Sequence, residues 1–146
     1  MRKHARKMFA VIITASILVG IIGCDGENSP TGPVNLESNA ETGCFVESNT
    51  VIGYTNYERC LRGLAPLSAN SLLDAAAQCH ADDMANRRYI SHMALEPAAC
   101  GGITPDQRIA AAGYRWNAYG ENIVYGYSRP KAIVAAWMTS PSHRDN

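Results

Sequence analysis

The chain opens on a block of charge and then loses it. Arg2, Lys3, Arg6 and Lys7 precede an uncharged, mostly apolar run from Met8 to Ile22. At 15 residues this run falls short of the roughly 18 or more that a bilayer-spanning helix needs. A basic start, a short apolar stretch and a small residue ahead of Cys24 are the parts of an export leader. From Asp25 to Glu47 the pattern disappears. That stretch holds five acids, no base, two prolines and three glycines, with no apolar period. Such composition predicts a solvated tether rather than a packed element. Periodicity returns at Ser48. The expected organisation is therefore a leader over 1–23, an acidic flexible tether over 24–47 and one folded domain over 48–146.

Four helices are predicted in that domain. Ser48 or Asn49 can cap the first, which runs to about Arg62 with Val51, Tyr54, Tyr57 and Leu61 as its apolar stripe. Gly63 suits the C-cap, and Pro66 lies beyond it. Asn70 can cap the second, Ser71 to about Arg88. There Leu72, Leu73, Ala76, Cys79, His80 and Met84 recur at three- and four-residue spacing and predict a buried face. Thr104, Pro105 and Gln107 form the clearest start, opening a short helix that ends near Ala112 with Gly113 behind it. Residues 114–127, rich in aromatics and turn formers, predict irregular chain with one short strand at most. Ser128 or Arg129 opens a fourth helix at Pro130, running to about Thr139 and ended by Pro141. No sheet is evident. The chain stops on Ser-His-Arg-Asp-Asn, a segment that reads as the start of something.

Charge narrows the function. The formal net charge is zero, but residues 24–146 carry nine basic and 13 acidic side chains, a net of −4. That excludes a general nucleic-acid binder, which needs a basic face. Four cysteines beyond Cys24 (Cys44, Cys60, Cys79 and Cys100) suit two disulfides in an exported domain. Three pairings are possible. Cys60 and Cys79 fall on consecutive helices, which favours that bridge, with Cys44–Cys100 as the second. No close Cys-x-x-Cys pair argues for a zinc site made of cysteines.

Two resemblances sharpen this reading. Ile21-Ile22-Gly23-Cys24 resembles the bacterial lipobox, which implies cleavage before Cys24 and lipidation of that cysteine. Asp25 behind it resembles the signal that retains some Gram-negative lipoproteins in the inner membrane. The second resemblance covers the domain: NYERCLRGLAPL over 56–67, LDAAAQCHADDM over 73–84, Tyr89-Ile90-Ser91-His92, RIAAAGY over 108–114, Gly120-Glu121-Asn122-Ile123 and WMTSPSHRDN over 137–146. Six stretches in this order resemble the CAP (SCP) superfamily of cysteine-rich secretory, antigen 5 and pathogenesis-related proteins. The resemblance implies an α+β fold, an α-β-α sandwich. Here it would be mostly the helical N-terminal part, with the C-terminal sheet strands missing and the natural chain continuing past Asn146.

The same resemblance carries the family's cleft residues onto His92, Glu121 and His143. The family's second glutamate falls on Ser140, and Ser142 stands where glycine is usual. If the three converged, two imidazoles and a carboxylate would suit a divalent metal such as zinc. Without metal they would suit a histidine base oriented by Glu121. The spacing alone does not bring them together. His80, on the face of Ala76 and Met84, reads as a core histidine, and Trp137 and Met138 read as core. The function expected is a membrane-anchored extracytoplasmic module, binding or scaffolding rather than catalytic. Its partners would be the membrane, through the N-terminal lipid, and a lipid, glycan or protein of the envelope. The alternatives are a metal-dependent, peptidase-like envelope hydrolase, or a remnant without function.

Overall fold

The computed structural model describes residues 10–15, 37–96 and 100–146. Cys24 and most of the expected tether lie outside the described residues. In chain order the elements are β1 (Ala10–Ala15), β2 (Ser38–Asn39), β3 (Cys44–Phe45), α1 (Val51–Cys60), α2 (Ser71–Arg87), α3 (Pro105–Ala111), β4 (Gly120–Tyr125), α4 (Pro130–Met138) and α5 (Pro141–Arg144).

Helix starts follow local chemistry. Asn70 Oδ1 accepts from the amides of Leu72 and Leu73 and caps α2. Gln107 Oε1 accepts from the Thr104 amide at the head of α3, and Pro130 stands first in α4. The cap of α1 is Thr50, whose hydroxyl accepts from the Gly53 amide. Neither Ser48 nor Asn49, the two expected caps, fills that place, and Ser48 Oγ instead hydrogen-bonds Thr50 Oγ1 at 2.7 Å. Gly63 and Gly113 take the left-handed backbone that ends α1 and α3, with φ of 67° and 87°. Pro141 does end α4, and it also opens α5, since proline suits a first helical position. Leu72 is exposed rather than buried. The face of α2 that is covered carries Leu73, Ala76, Ala77, His80, Ala81 and Met84.

β4 is the centre of the molecule. Successive strand side chains point to opposite faces. Ile123 packs with Ala77, Ala81, Met84 and Tyr89, so one face of β4 meets α2. Val124 packs against Ile133, Val134 and Trp137, so the other face of β4 meets α4, and Val51 and Tyr54 of α1 pack against the same α4 cluster. Helix, sheet and helix therefore form three layers, the α+β arrangement expected, with few strands between them. β1 pairs antiparallel with β4, Ala10 opposite Tyr125 through Ala15 opposite Gly120, and packs against α2. β2 and β3 form a second, separate antiparallel pair.

The disulfides correct the expected pairing. Cys44 bonds Cys60, and Cys79 bonds Cys100. The first two helices do not pack on each other as expected, because α1 packs on α4 and β3 while α2 packs on α3 and β1. Cys60 thus faces the β2–β3 hairpin, and Cys79 faces the chain entering α3. The first bridge also draws the end of the expected tether into the fold. Cys44 and Val46 are buried, and Lys131 of α4 pairs with Glu37. Among the described residues no helix is long and apolar enough to cross a membrane.

Candidate functional site

The Tyr89-to-His92 segment is held from beneath, residue by residue. The backbone at Arg88 enters the left-handed region at φ 61° and turns the chain back over α2. Tyr89 then donates its hydroxyl to Asp83 Oδ2 at 2.5 Å, while Arg87 Nε holds Asp83 Oδ1 at 2.8 Å. Burial, followed by this bond to a carboxylate, pushes the Tyr89 hydroxyl up to about 12. His80 Nε2 lies 2.9 Å from the Ser91 carbonyl, and Ser91 Oγ accepts from the Met93 amide. The loop therefore leaves α2 by a fixed route and delivers the half-exposed His92 ring to β4.

There His92 Nδ1 meets Glu121 Oε1 at 2.7 Å. Glu121 is buried, and its other oxygen accepts from Arg108 Nη2 at 2.8 Å. Arg108, on α3, is fully enclosed. Nη2 also donates to the His92 carbonyl at 3.1 Å, and Nη1 donates to the Ile103 carbonyl at 2.7 Å. Arginine is rarely enclosed unless its charge is paired, and this one is paired and hydrogen-bonded. Sequence reasoning missed it. A signal was present: Arg108 is the one charge in the stretch from Arg108 to Tyr114, beside Ile109 and three alanines.

His143 lies elsewhere. Asn122 Nδ2 donates to its carbonyl at 2.9 Å, and Asn122 Oδ1 accepts from Asn146 Nδ2 at 3.0 Å. Since Glu121 and Asn122 are neighbours on a strand, they point to opposite faces of β4. The structure thus joins His92 to Glu121 and sets His143 across the strand from them. Among the described residues no three histidine, cysteine, aspartate or glutamate side chains are placed to hold a metal ion. With the Arg108 guanidinium against one oxygen of Glu121, the donor set does not fit a divalent cation. Ser140 and Ser142 hydrogen-bond each other at 3.1 Å at the head of α5, away from any activating base among their described partners.

His143 instead lines a pocket of about 80 Å³ between α1, α4 and α5. Leu64, Leu67, Val134, Trp137 and Met138 supply apolar wall, and Arg59, Arg62 and Arg144 supply charge. Arg62 pairs with Glu58 at 2.7 Å and Arg144 with Asp145 at 3.1 Å. Arg59 Nε donates to the Ala65 carbonyl and meets no carboxylate among the described residues. Trp137 is buried, and its indole N–H has no acceptor among them. Trp137 and Met138, read from the sequence as core, are therefore core and pocket wall at once.

The comparisons agree with this architecture. Residues 52–146 match the family described as CAP: Cysteine-rich secretory protein family. The chain is 30% identical over 112 residues to the uncharacterized protein YkwD of Bacillus subtilis (strain 168), which covers 77% of this chain. The chain spans 42% of the length of that relative. No solved structure matches. The family match extends over most of the described helices and both faces of β4, and the family together with two disulfides marks a domain that works outside the cytoplasm. This chain belongs to the CAP family of cysteine-rich secretory proteins.

Proposed function

We propose that the protein is a lipid-anchored, extracytoplasmic CAP domain that binds rather than turns over, with an anionic amphiphile as its ligand. The observation that carries this reading is the pocket between α1, α4 and α5. Its wall is apolar and includes Trp137, and Arg59 brings to it a positive charge that meets no carboxylate among the described residues. A carboxylate would pair with the Arg59 guanidinium while the apolar wall takes the end of its chain. The volume is below the ~150 Å³ of a cavity that admits benzene, so it fits one end of an acyl chain and not its whole length. Against turnover stands the separation of His143 from His92 and Glu121 by β4. Anchoring rests on Cys24, its preceding apolar run and the acidic stretch that follows.

Titration with a brominated fatty acid tests the ligand, because bromine quenches indole fluorescence at contact. In a Trp116→Phe background, which leaves Trp137 as the sole indole, quenching is expected to saturate. Arg59→Glu is expected to weaken it by roughly tenfold, about 1.4 kcal/mol, since a reversed charge at the rim repels the headgroup. Quenching that rises linearly without saturation would reject the reading. For the anchor, Cys24→Ser should move the protein from the membrane to the soluble fraction; retention in the membrane would show that the lipid does not hold it. Hydrolysis of an envelope peptide that is lost in His92→Gln and in His143→Gln, both folded, would favour the hydrolase instead.

A further inference from the structure

We propose that Arg108 is a positioning residue for His92: it commands Glu121 and the His92 backbone together, and so fixes the imidazole as the Nδ1–H tautomer, with Nε2 as its acceptor and without a hydrogen bond among the described residues. This goes beyond the pocket reading and does not depend on it, since the two sites lie on opposite faces of β4.

The argument starts from what arginine can do. A guanidinium has donors only, in a planar fork. Here one nitrogen, Nη2, spans Glu121 Oε2 at 2.8 Å and the His92 carbonyl at 3.1 Å, while Nη1 holds the Ile103 carbonyl at 2.7 Å. The Ile103 carbonyl also accepts from the Ala94 amide at 2.8 Å, so the loop on either side of His92 is tied to the same anchor. Glu121 is then fixed in orientation, and its remaining oxygen stands 2.7 Å from His92 Nδ1. A carboxylate only accepts, so Nδ1 must carry the proton. Neutral imidazole has one N–H, which leaves Nε2 as an acceptor. That nitrogen makes no hydrogen bond among the described residues, and the side chain is half exposed. The protein thus presents one oriented acceptor, suited to a hydroxyl or amine donor on a ligand.

The orientation chain makes a sharp prediction. In Glu121→Gln the shape is kept, but the amide has one acceptor end and one donor end. Arg108 offers only donors, so it takes the amide oxygen and turns the NH₂ toward His92. Nδ1 must then accept, and the tautomer inverts to Nε2–H. The test is the side-chain ¹⁵N spectrum of the full chain at pH 8, with His92 assigned by loss of its signals in His92→Gln. In the unaltered protein a pyrrole-type Nδ1 and a pyridine-type Nε2 are expected. In Glu121→Gln the two signatures should exchange. In Arg108→Lys, where one ammonium replaces the fork, the single pattern should give way to a tautomer mixture while far-UV circular dichroism shows the fold retained. A structural role alone would change stability and leave the nitrogen signatures in place. An Nε2–H pattern in the unaltered protein would overturn the proposal. So would an unexchanged pattern in Glu121→Gln.

Discussion

His80 has two ring nitrogens and, among the described residues, one hydrogen-bond partner. Nε2 donates to the Ser91 carbonyl, while Nδ1 is enclosed and meets no donor or acceptor among them. Burial lowers its pKa below the usual 6.5. The Ser91 carbonyl and the nearby Glu121 and Asp83 carboxylates oppose that shift, and Arg108 adds to it. The folded chain therefore binds this proton less readily than the unfolded chain. Stability from this group is complete above pH 6.5, falls as pH drops through 6.5, and levels off beneath the folded value. The slope of one proton is at most about 1.4 kcal/mol per pH unit. His80→Gln keeps a donor for Ser91 and cannot titrate. Thermal melts from pH 7.5 to 5 should show a falling midpoint for the natural protein and a flatter profile for the variant; parallel profiles would remove His80 as the cause. The sequence placed His80 in the core by its spacing alone. It could not reveal that the ring braces the loop carrying His92, because that contact joins residues 80 and 91 through a turn set by Arg88.

At the scale of elements, β4 and α5 are joined by an asparagine pair that packs against a glycine. Asn146 Oδ1 would lie 2.2 Å from a Cβ added at Gly120, and Asn146 is also bonded to Asn122, which holds the His143 carbonyl. Gly120→Ala should push Asn146 away and loosen α5. The expected readout is faster amide exchange at His143, Arg144 and Asp145, with a stability loss under about 1 kcal/mol, since the displaced atoms are the exposed end of the Asn146 side chain. Unchanged exchange there would show that α5 holds without the pair. The helices themselves were legible because capping is local: Asn70, Thr104 and Pro130 act within four residues of themselves. The partners of those helices were not legible. That α1 sits on α4, and not on α2, depends on the stripes meeting β4 from opposite sides, and the misjudged disulfides follow from that one point.

For the molecule as a whole, the strand that completes β4 comes from the apolar run near the N-terminus. The run reads as an export leader, yet Ala10–Ala15 pairs with all six residues of β4 and covers α2. A chain beginning at Cys24 lacks β1, so the amides of Gly120–Tyr125 should exchange faster in it than in the full chain. Equal protection in the two would show that β1 contributes nothing to the sheet. The site was visible from sequence only through resemblance. His92 and Glu121 are 29 positions apart, and nothing in their spacing brings them together. Arg108, which binds them, resembled no cleft residue, and its role emerged from enclosure and donor geometry.

The Cys44–Cys60 bridge gives the domain a load path. If Cys24 carries the proposed lipid, the stretch from it to Glu37 can reach at most about 45 Å, counting about 13 residues at full extension. Once such a leash is taut, tension runs into the β2–β3 hairpin. Hydrogen bonds there can peel one at a time, as can the Lys131–Glu37 contact. The pull then stops at a covalent bond and passes into the last residue of α1. The neighbour of that residue is Arg59, at the pocket wall. In the anchored form proposed above, mechanical force would reach the proposed pocket first, while the His92 loop, fastened to α2 and α3, would stay slack.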